Sequence, residues 1–166
     1  MSGKINKILY ATDLSEPAKE AMKYSIDLAL HYKASMTVIH VVPNVFEELA
    51  LSTGVEMELY VGIDRWQEIE KKRFENAEQT VLERIDEITR EIIGDSDNFK
   101  ELLTDIQVRI GHPVNEIINL CKEGNYDIIV MATHGHGQLG ELLVGSVSRG
   151  VLKKSKVPVF LVPIKS

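Results

Sequence analysis

The residues most able to do chemistry lie in one segment, MATHGHGQLGELLVGSVSRG, at positions 131–150. An apolar run ends there, and glycines, two histidines and two serines follow. Glycines allow positive φ angles and a close approach of the backbone to a ligand. Gly145 and Ser146 stand where a helix is expected to begin, and the free N–H groups at a helix start attract anions. The segment is suited to a phosphate group, and equally to a plain turn with Ser146 as a helix cap.

Three other functions fit parts of this segment. His134 and His136 could each offer a nitrogen to a metal, but three or four ligands are usual and no Cys, Asp or Glu stands next to them. No GxSxG elbow is present for a nucleophilic serine. THGH, at 133–136, matches the T-x-G-H pattern of nucleotidylyltransferases, in which the pattern follows the first strand. Here it follows the fourth predicted strand, which argues against a nucleotidylyltransferase. The metal, nucleophile and nucleotidylyltransferase hypotheses are therefore each less well supported than a phosphate site.

The elements that must position this segment follow from hydrophobic periodicity. Apolar runs predict strands at residues 7–11, 35–43, 104–110, 126–133 and 157–163. Helical spacing predicts helices after Ser15, over 64–93, from Pro113 to just before Gly124, and from about Gly145. Ser15 is a natural N-cap, and Pro17 fits the first turn, where its missing N–H costs nothing.

The resulting order, βαβαβαβαβ, predicts an α/β fold. We expect a single domain over residues 1–166, with a doubly wound five-stranded parallel sheet and helices on both faces. Ligands bind such open sheets beyond the carboxyl ends of the strands, where the strand order reverses. The loops ATDLS, HVVPN, RIGHP and the glycine segment therefore matter most.

Composition excludes several classes of protein. The 166 residues carry a formal net charge of −6, which argues against nucleic acid as a partner. No apolar run is long enough to span a membrane, and the amino terminus lacks a signal-peptide pattern, so we expect a cytoplasmic protein. The single cysteine, Cys121, shares a helical stripe with Val114, Ile117 and Ile118 and is predicted to be a core residue.

Taken together, these pieces resemble the universal stress protein family over essentially the whole chain. The resemblance rests on KILYATDLSEPAKEAM, VIHVV, the GHP turn, YDIIVMATHG and GSVSRGVLKKSKVPVFLVP. The ATP-binding branch of that family carries G-x2-G-x9-G-(S/T). Gly135, Gly145 and Ser146 match this spacing, whereas Ala132 replaces the first glycine.

What the resemblance implies is an ATP site, with Mg²⁺, built at the ends of strands one, two and four. The first loop meets adenosine, the second strand meets adenine, the turn after the fourth strand lies beside the ribose and phosphates, and the last helix start holds the phosphates. The matching residues are Ala11, Thr12 and Asp13; Val41; Met131, Ala132, Thr133, His134 and Gly135; and Gly145, Ser146, Val147 and Ser148. Asp13 has a second interpretation, as a residue that stabilises the turn before Ser15.

The resemblance also implies a homodimer formed through the last strand, residues 157–162. It implies a dimeric stress-response module that responds to the nucleotide rather than an enzyme. No residue has a clear role as a general base, so slow hydrolysis or autophosphorylation at Ser146 or Ser148 is the most that we expect.

Some alternatives remain open. With Ala132 in place of glycine, the chain could be a nucleotide-free dimerisation or adaptor domain. Residues 44–64 could be a partner surface or a lid over the nucleotide. His112 is expected to belong to the GHP turn, and His31 and His40 are interpreted as structural.

Overall fold

A computed structural model of the chain describes residues 4–44, 50–54, 62–94, 101–134 and 144–163. Strands and helices alternate within these ranges, as the sequence predicts. The elements are β1 (Lys7–Thr12), α1 (Glu16–Tyr32), β2 (Ser35–Val42), α2 (Ile63–Ile93), β3 (Leu103–Ile110), α3 (Pro113–Gly124), β4 (Ile128–Ala132), α4 (Ser146–Lys154) and β5 (Val159–Val162).

The five strands form one sheet in the order β3-β2-β1-β4-β5, and every neighbouring pair is parallel. This confirms the predicted doubly wound α/β fold. The chain builds outward from β1 to β3 on one side and then restarts at β4 on the other. The order therefore reverses between β1 and β4, and a crevice for a ligand is expected at their carboxyl ends.

Each face of the sheet is covered by two helices. In β1, Ile8 and Tyr10 point to the cluster that also contains α1 and α2, while Leu9 and Ala11 point to the cluster that contains α3. This alternation follows from the period of two in a strand. Both faces of the central strands are thus apolar, which explains why β1 and β4 read as continuous hydrophobic runs.

The start of α1 forms as predicted. Ser15 is the N-cap, its hydroxyl accepts from the Ala18 N–H, and a proline lies in the first turn. The carbonyl of Ala18 also accepts a hydrogen bond, from the hydroxyl of the buried Tyr10 in β1 at 2.6 Å. Burial raises the pKa of Tyr10, so the phenol keeps its proton and this bond.

The end of α3 differs from the prediction. Gly124 was expected just past the helix, but it is the last helical residue, and Asn125 takes the left-handed conformation with φ 52°. Asn125 ends the helix, and its N–H donates to the carbonyls of Cys121 and Lys122. A Cβ at Gly124 would overlap the ring of Tyr126. Glycine is needed here for the approach of a side chain, and asparagine tolerates the left-handed turn.

The last two strands are shorter than predicted. Residues 126–133 and 157–163 were expected to be strands, but β4 begins at Ile128 and β5 at Val159. Before β4, the Asp127 carboxylate accepts the N–H groups of Asn6 and Lys7, which ties the chain to the start of β1. Before β5, the Val157 N–H donates to the Ser155 hydroxyl, and Pro158 has no N–H for the ladder.

Helix α2 is buried mainly in its carboxyl-terminal half. Val81, Ile85 and Ile88 belong to the core, whereas Ile63, at the amino terminus, is 65% exposed. Of the predicted irregular segment 44–64, residues 50–53 are helical, Ile63 and Asp64 already belong to α2, and 45–49 and 55–61 lie outside the described residues. None of the helices in the described ranges is long and apolar enough to cross a bilayer.

Candidate functional site

A cavity of about 380 Å³ opens at the carboxyl ends of β1, β2 and β4, where the strand order reverses. Its volume lies in the range of roughly 300–1,000 Å³ that small-molecule sites occupy. The described residues that line it come from β1 and the following turn, from the first turn of α1, from β2 and the residue after it, from β4, and from the first turns of α3 and α4. They are Ala11, Thr12, Asp13, Ala18, Ile39, His40, Val41, Pro43, Pro113, Ile117, Met131, Ala132, His134, Gly145, Ser146, Val147 and Ser148.

The turn after β1 brings Asp13 to the cavity. Its Oδ1 accepts from the Ser15 N–H at 3.0 Å and from the Ser15 hydroxyl at 2.5 Å. Leu14 lies between them with φ 65°, a conformation that is rare for a branched side chain. The Leu14 N–H donates to the Thr12 hydroxyl, which helps to hold that turn. Asp13 therefore stabilises the turn and lines the cavity at once, so both interpretations of this residue have a basis in the structure.

One wall is formed by the end of β2. Val41 is buried beside Ala11 and Ile117 and gives this wall an apolar surface. His40 also lines the cavity, and its Nδ1 lies 2.9 Å from the Thr12 carbonyl oxygen. This hydrogen bond joins the ends of β1 and β2, which agrees with the interpretation of His40 as structural, although the residue also lines the cavity.

Pro43 continues this wall beyond β2, and α2 holds it in place. The Arg73 guanidinium donates to the Pro43 carbonyl at 3.0 Å and to the Glu70 carboxylate at 2.9 Å. Arg73, on the helix that covers the opposite face of the sheet, thus fixes the position of Pro43 at the edge of the cavity.

The floor of the cavity is formed by β4 and the start of α4. Met131 and Ala132 are buried at the end of β4. The Ser148 hydroxyl donates to the Ala132 carbonyl at 2.9 Å, and the Gly145 N–H donates to the Thr133 carbonyl at 2.8 Å. A Cβ at Gly145 would lie 3.3 Å from that same carbonyl, so glycine permits the close approach of helix and strand.

The first turn of α4 faces the cavity with its backbone donors. Gly145 is the N-cap and supplies no side-chain bond, and the first helical bond runs from the Arg149 N–H to the Gly145 carbonyl. The N–H groups of Ser146, Val147 and Ser148 precede that bond, as in every α-helix. Together with the helix dipole, they make this end of the cavity electropositive although no Lys or Arg is among its described lining residues.

Two predicted site residues, Thr133 and Gly135, are not among the described residues that line the cavity. The Thr133 N–H donates to the Val162 carbonyl at 2.9 Å, and its hydroxyl lies 2.9 Å from Nδ1 of His134, which does line the cavity. Thr133 thus ties β4 to β5 and orients the His134 ring. Gly135 lies outside the described residues, as does His136, the second histidine of the metal and THGH hypotheses.

Ser148 is buried, with only 4% of its surface exposed, and its hydroxyl is held by Ala132. Autophosphorylation at Ser148 would remove the hydroxyl proton that is donated to Ala132, so this bond would be lost. Ser146 is exposed on the first turn of the same helix and is the more accessible hydroxyl.

Pro113 and Ile117 were not among the predicted site residues. They come from the first turns of α3, which lies over the same face of the sheet as Val41 and Met131. The signal in the sequence was the GHP turn after β3, which places a helix start near the carboxyl ends of the strands. The spacing of residues along the chain does not show that this helix start reaches the same cavity as β4.

Comparison with known proteins agrees with this architecture. The model of the universal stress protein family matches residues 4–163. The chain belongs to the universal stress protein family. Among its relatives is the universal stress protein MJ0577 of Methanocaldococcus jannaschii, which is 30% identical over 172 aligned positions that cover 100% of this chain and 99% of the relative.

Solved structures of the family share the fold. The structure of MJ0577 has a TM-score of 0.71 at 28% identity and covers 98% of this chain and 99% of its own. A universal stress protein from Archaeoglobus fulgidus, solved in complex with dAMP, has a TM-score of 0.57 at 18% identity, with 95% and 98% of the two chains covered. Another universal stress protein, solved in complex with cAMP, has a TM-score of 0.53 at 18% identity, with 96% and 98% covered.

Proposed function

We propose that this universal stress protein binds an adenine nucleotide, ATP with Mg²⁺, in the cavity at the carboxyl ends of β1, β2 and β4. The observation that carries the proposal is the first turn of α4, which opens into the cavity without a side-chain cap. Free backbone N–H groups and the positive end of a helix dipole suit phosphate oxygens. The rest of the lining is mostly apolar, as the flat face of a base requires.

Each part of the ligand has a matching part of the cavity. Ile39, Val41 and Met131 would contact the adenine ring, and Asp13 would accept hydrogen bonds from the ribose hydroxyls. Ser146 and Val147 would donate to the phosphates. Mg²⁺ is bound in proteins by one or two carboxylates together with substrate phosphates, and Asp13 is the carboxylate that lines the cavity among the described residues.

The relatives support the class of ligand. The universal stress proteins solved with dAMP and with cAMP both hold an adenine nucleotide, and both share this fold. We infer that adenine is the common element and that the first turn of α4 determines which phosphate group is preferred. The protein would then act as a nucleotide-responsive module of a cytoplasmic stress response, not as an enzyme with rapid turnover.

The first experiment identifies what the purified protein carries. The protein is denatured and filtered, and the filtrate is analysed by chromatography with mass detection. Calorimetric titrations with Mg-ATP, AMP, adenosine and Mg-GTP follow. We expect ATP in the filtrate and binding of the adenine nucleotides but not of GTP. An empty filtrate with no binding of added Mg-ATP would reject the proposal in favour of the adaptor function.

A pair of variants connects binding to the cavity. Asp13→Asn keeps the shape of the side chain but removes its charge, and we expect weaker binding of ATP and of adenosine. Asp27→Asn makes the same change on the exposed surface of α1 and is the matched control. Equal affinities for the two variants would show that Asp13 acts only on the turn.

We also propose that two copies pair through β5. This edge strand exposes Phe160, 38% accessible, next to Tyr24 of α1, with the two ring centroids 6.0 Å apart. Exposed apolar edges invite strand pairing. Phe160→Lys should convert a dimer into a monomer in light scattering, whereas Leu51→Lys, at a residue that is 82% exposed elsewhere, should not. An unchanged mass for Phe160→Lys contradicts this interface. Val159→Lys is a less specific test because Val159 is half-buried.

A further inference from the structure

A second depression, of about 340 Å³, lies at the opposite end of the sheet from the nucleotide cavity. It is formed where α3 ends before β4 and where α4 ends before β5. We call it the basic depression. Its described lining residues are Ile118, Cys121, Lys122, Asn125, Tyr126, Lys154, Ser155, Lys156 and Val157.

The floor of the basic depression is apolar and firmly held. Ile118 and Cys121 belong to the core, and Tyr126 and Val157 pack against it. Burial raises the pKa of the Cys121 thiol, which therefore stays protonated and apolar. The Tyr126 ring lies over Gly124, where a side chain would displace it. This floor can take the organic part of a small ligand.

The rim of the basic depression is cationic. Lys122, Lys154 and Lys156 line it, and no Asp or Glu is among its described lining residues. The nearest acids along the chain have other partners. Glu123 binds Arg109 at 2.7 Å, and Asp127 accepts the N–H groups of Asn6 and Lys7. In a chain with a net charge of −6, three lysines without a local acid need an explanation.

Helix dipoles account for part of this charge. Lys122 and Lys154 lie in the last turns of α3 and α4, whose carboxyl ends each carry about −0.5 charge. Two such ends offset about one of the three positive charges, which leaves about +2. Lys156 lies beyond α4, so no helix explains its position.

The polar groups around the rim have few partners in the protein. Lys154 Nζ donates to Asn115 Oδ1 at 2.9 Å. Within the described ranges, Lys122 Nζ, Lys156 Nζ and the Tyr126 hydroxyl make no hydrogen bond or ion pair, so two ammonium groups and a phenol are available to a ligand.

We propose that the basic depression is a second binding site, for a small phosphate monoester. A monoester carries about −1.5 to −2 charges at pH 7, which matches the remaining positive charge of the rim. Its phosphate lies between Lys122 and Lys156, and its organic group lies on Tyr126 and Val157. Lysine binds phosphate as a point charge, and each such bond is charge-assisted.

The first test uses phenyl phosphate as the probe and lysine acetylation, read by peptide mass spectrometry, as the measurement. We expect phenyl phosphate to slow acetylation of Lys122 and Lys156 in the wild-type protein. Lys71, which is 76% exposed on α2, is the control lysine and should react at an unchanged rate. Sodium chloride at matched ionic strength separates binding from general screening. Equal protection of all three lysines, or none, would overturn the proposal.

The second test uses variants and calorimetric titration. Lys156→Gln and Lys122→Gln should each weaken phenyl phosphate binding about tenfold, the loss of one charge-assisted hydrogen bond. Lys71→Gln is the matched control and should bind as the wild type does. Affinities for phenyl phosphate that are equal in all three variants would overturn the proposal.

The same samples are titrated with Mg-ATP, because the second site is independent of the nucleotide cavity. We expect both lysine variants to bind ATP as the wild type does. Loss of ATP binding in Lys156→Gln would mean that the two sites are not separate, against the proposal. A protein that binds phenyl phosphate at Lys156 but no ATP would refute the nucleotide function and leave the second site standing.

Discussion

The two ends of the sheet carry cavities of similar size, about 380 Å³ and about 340 Å³, but their positive potential has different sources. At the carboxyl ends of the strands, the positive potential comes from the backbone at the start of α4. At the amino ends it comes from three lysine side chains around the ends of α3 and α4. The first cavity holds an aspartate and no described lysine or arginine, and the second holds lysines and no described acid.

The difference follows from the direction of the chain. In a parallel α/β sheet every helix begins near the carboxyl ends of the strands and ends near their amino ends. Helix starts provide fixed N–H donors, which need no side chain to attract an anion. Helix ends are negative, so an anion site there must be built from cations that exceed the helix charge. One end is therefore preorganised, whereas the other depends on long and mobile side chains.

The largest expected effect comes from Ser146→Glu, which places a carboxylate at the first turn of α4. The carboxylate would occupy the electropositive space that we assign to a phosphate, and we expect ATP affinity to fall about a hundredfold, for two lost charge-assisted bonds. Protein stability should not fall, because an acid in the first turn stabilises a helix by about 0.3–1 kcal/mol. Calorimetry and thermal unfolding measure the two effects.

Ser146→Ala is the control for this variant, since it removes the hydroxyl without adding charge. We expect it to retain most of the ATP affinity. If Ser146→Glu bound ATP as tightly as the wild type, the start of α4 would not be the phosphate site.

The next largest effect is expected from the same change at the other end of α4, Ser155→Glu. The new carboxylate would lie among Lys154, Lys156 and Lys122 and compete with phenyl phosphate. We expect the affinity for phenyl phosphate to fall about tenfold. Stability should fall by about 1 kcal/mol, because Ser155 bonds both the carbonyl and the N–H of Val157. ATP affinity, measured by calorimetry, should not change. A parallel loss of both ligands would remove the distinction between the two ends.

Ala132→Gly restores the glycine of the family pattern and should have a smaller effect. Ala132 is buried in β4 and lines the nucleotide cavity. Removing its methyl group gives a ligand more room, so ATP affinity should rise, while glycine in a strand costs about 0.5–1 kcal/mol of stability. Calorimetry and thermal unfolding test both signs. Unchanged affinity would mean that the methyl group does not crowd the nucleotide.

The smallest effect concerns salt. The lysines of the basic depression are exposed, whereas the start of α4 faces a partly enclosed cavity. Screening acts most strongly on exposed charges. Between low and physiological ionic strength, phenyl phosphate binding to the wild type should therefore lose proportionally more affinity than AMP binding to the Lys156→Gln variant, in which the basic depression is weakened. Equal losses in calorimetric titrations would indicate that both sites rely on solvent-exposed side chains.

Much of the fold could be predicted from the sequence because the strands and helices have clear periods. The N-cap at Ser15, the buried stripe of α3 and the order of elements are all local properties of the chain. The misplaced ends depend on side-chain packing and side-chain hydrogen bonds, which hydrophobic periodicity does not record. Gly124 is the last helical residue because Asn125 takes the left-handed cap, and the Tyr126 ring leaves no room for a side chain at position 124. Before β4, the Asp127 carboxylate binds the beginning of β1.

The candidate site was predicted less completely. The spacing of Gly145 and Ser146 after β4 indicated the helix start, and the family resemblance indicated Asp13 and Val41. Thr133 stays a prediction: its N–H continues the ladder to Val162, and its hydroxyl contacts the ring of His134, which lines the cavity.

By itself, the sequence determined the α/β alternation, the apolar strands, the family and the glycine–serine start of α4, since each of these is a pattern of neighbours along the chain. Only the tertiary structure decided which distant residues meet. It placed Pro113 and Ile117 over the nucleotide cavity and gathered Lys122 and Lys156, which are separated by a strand and a helix, around one depression. Such convergence depends on the order of strands and on side-chain packing, which no spacing of residues records.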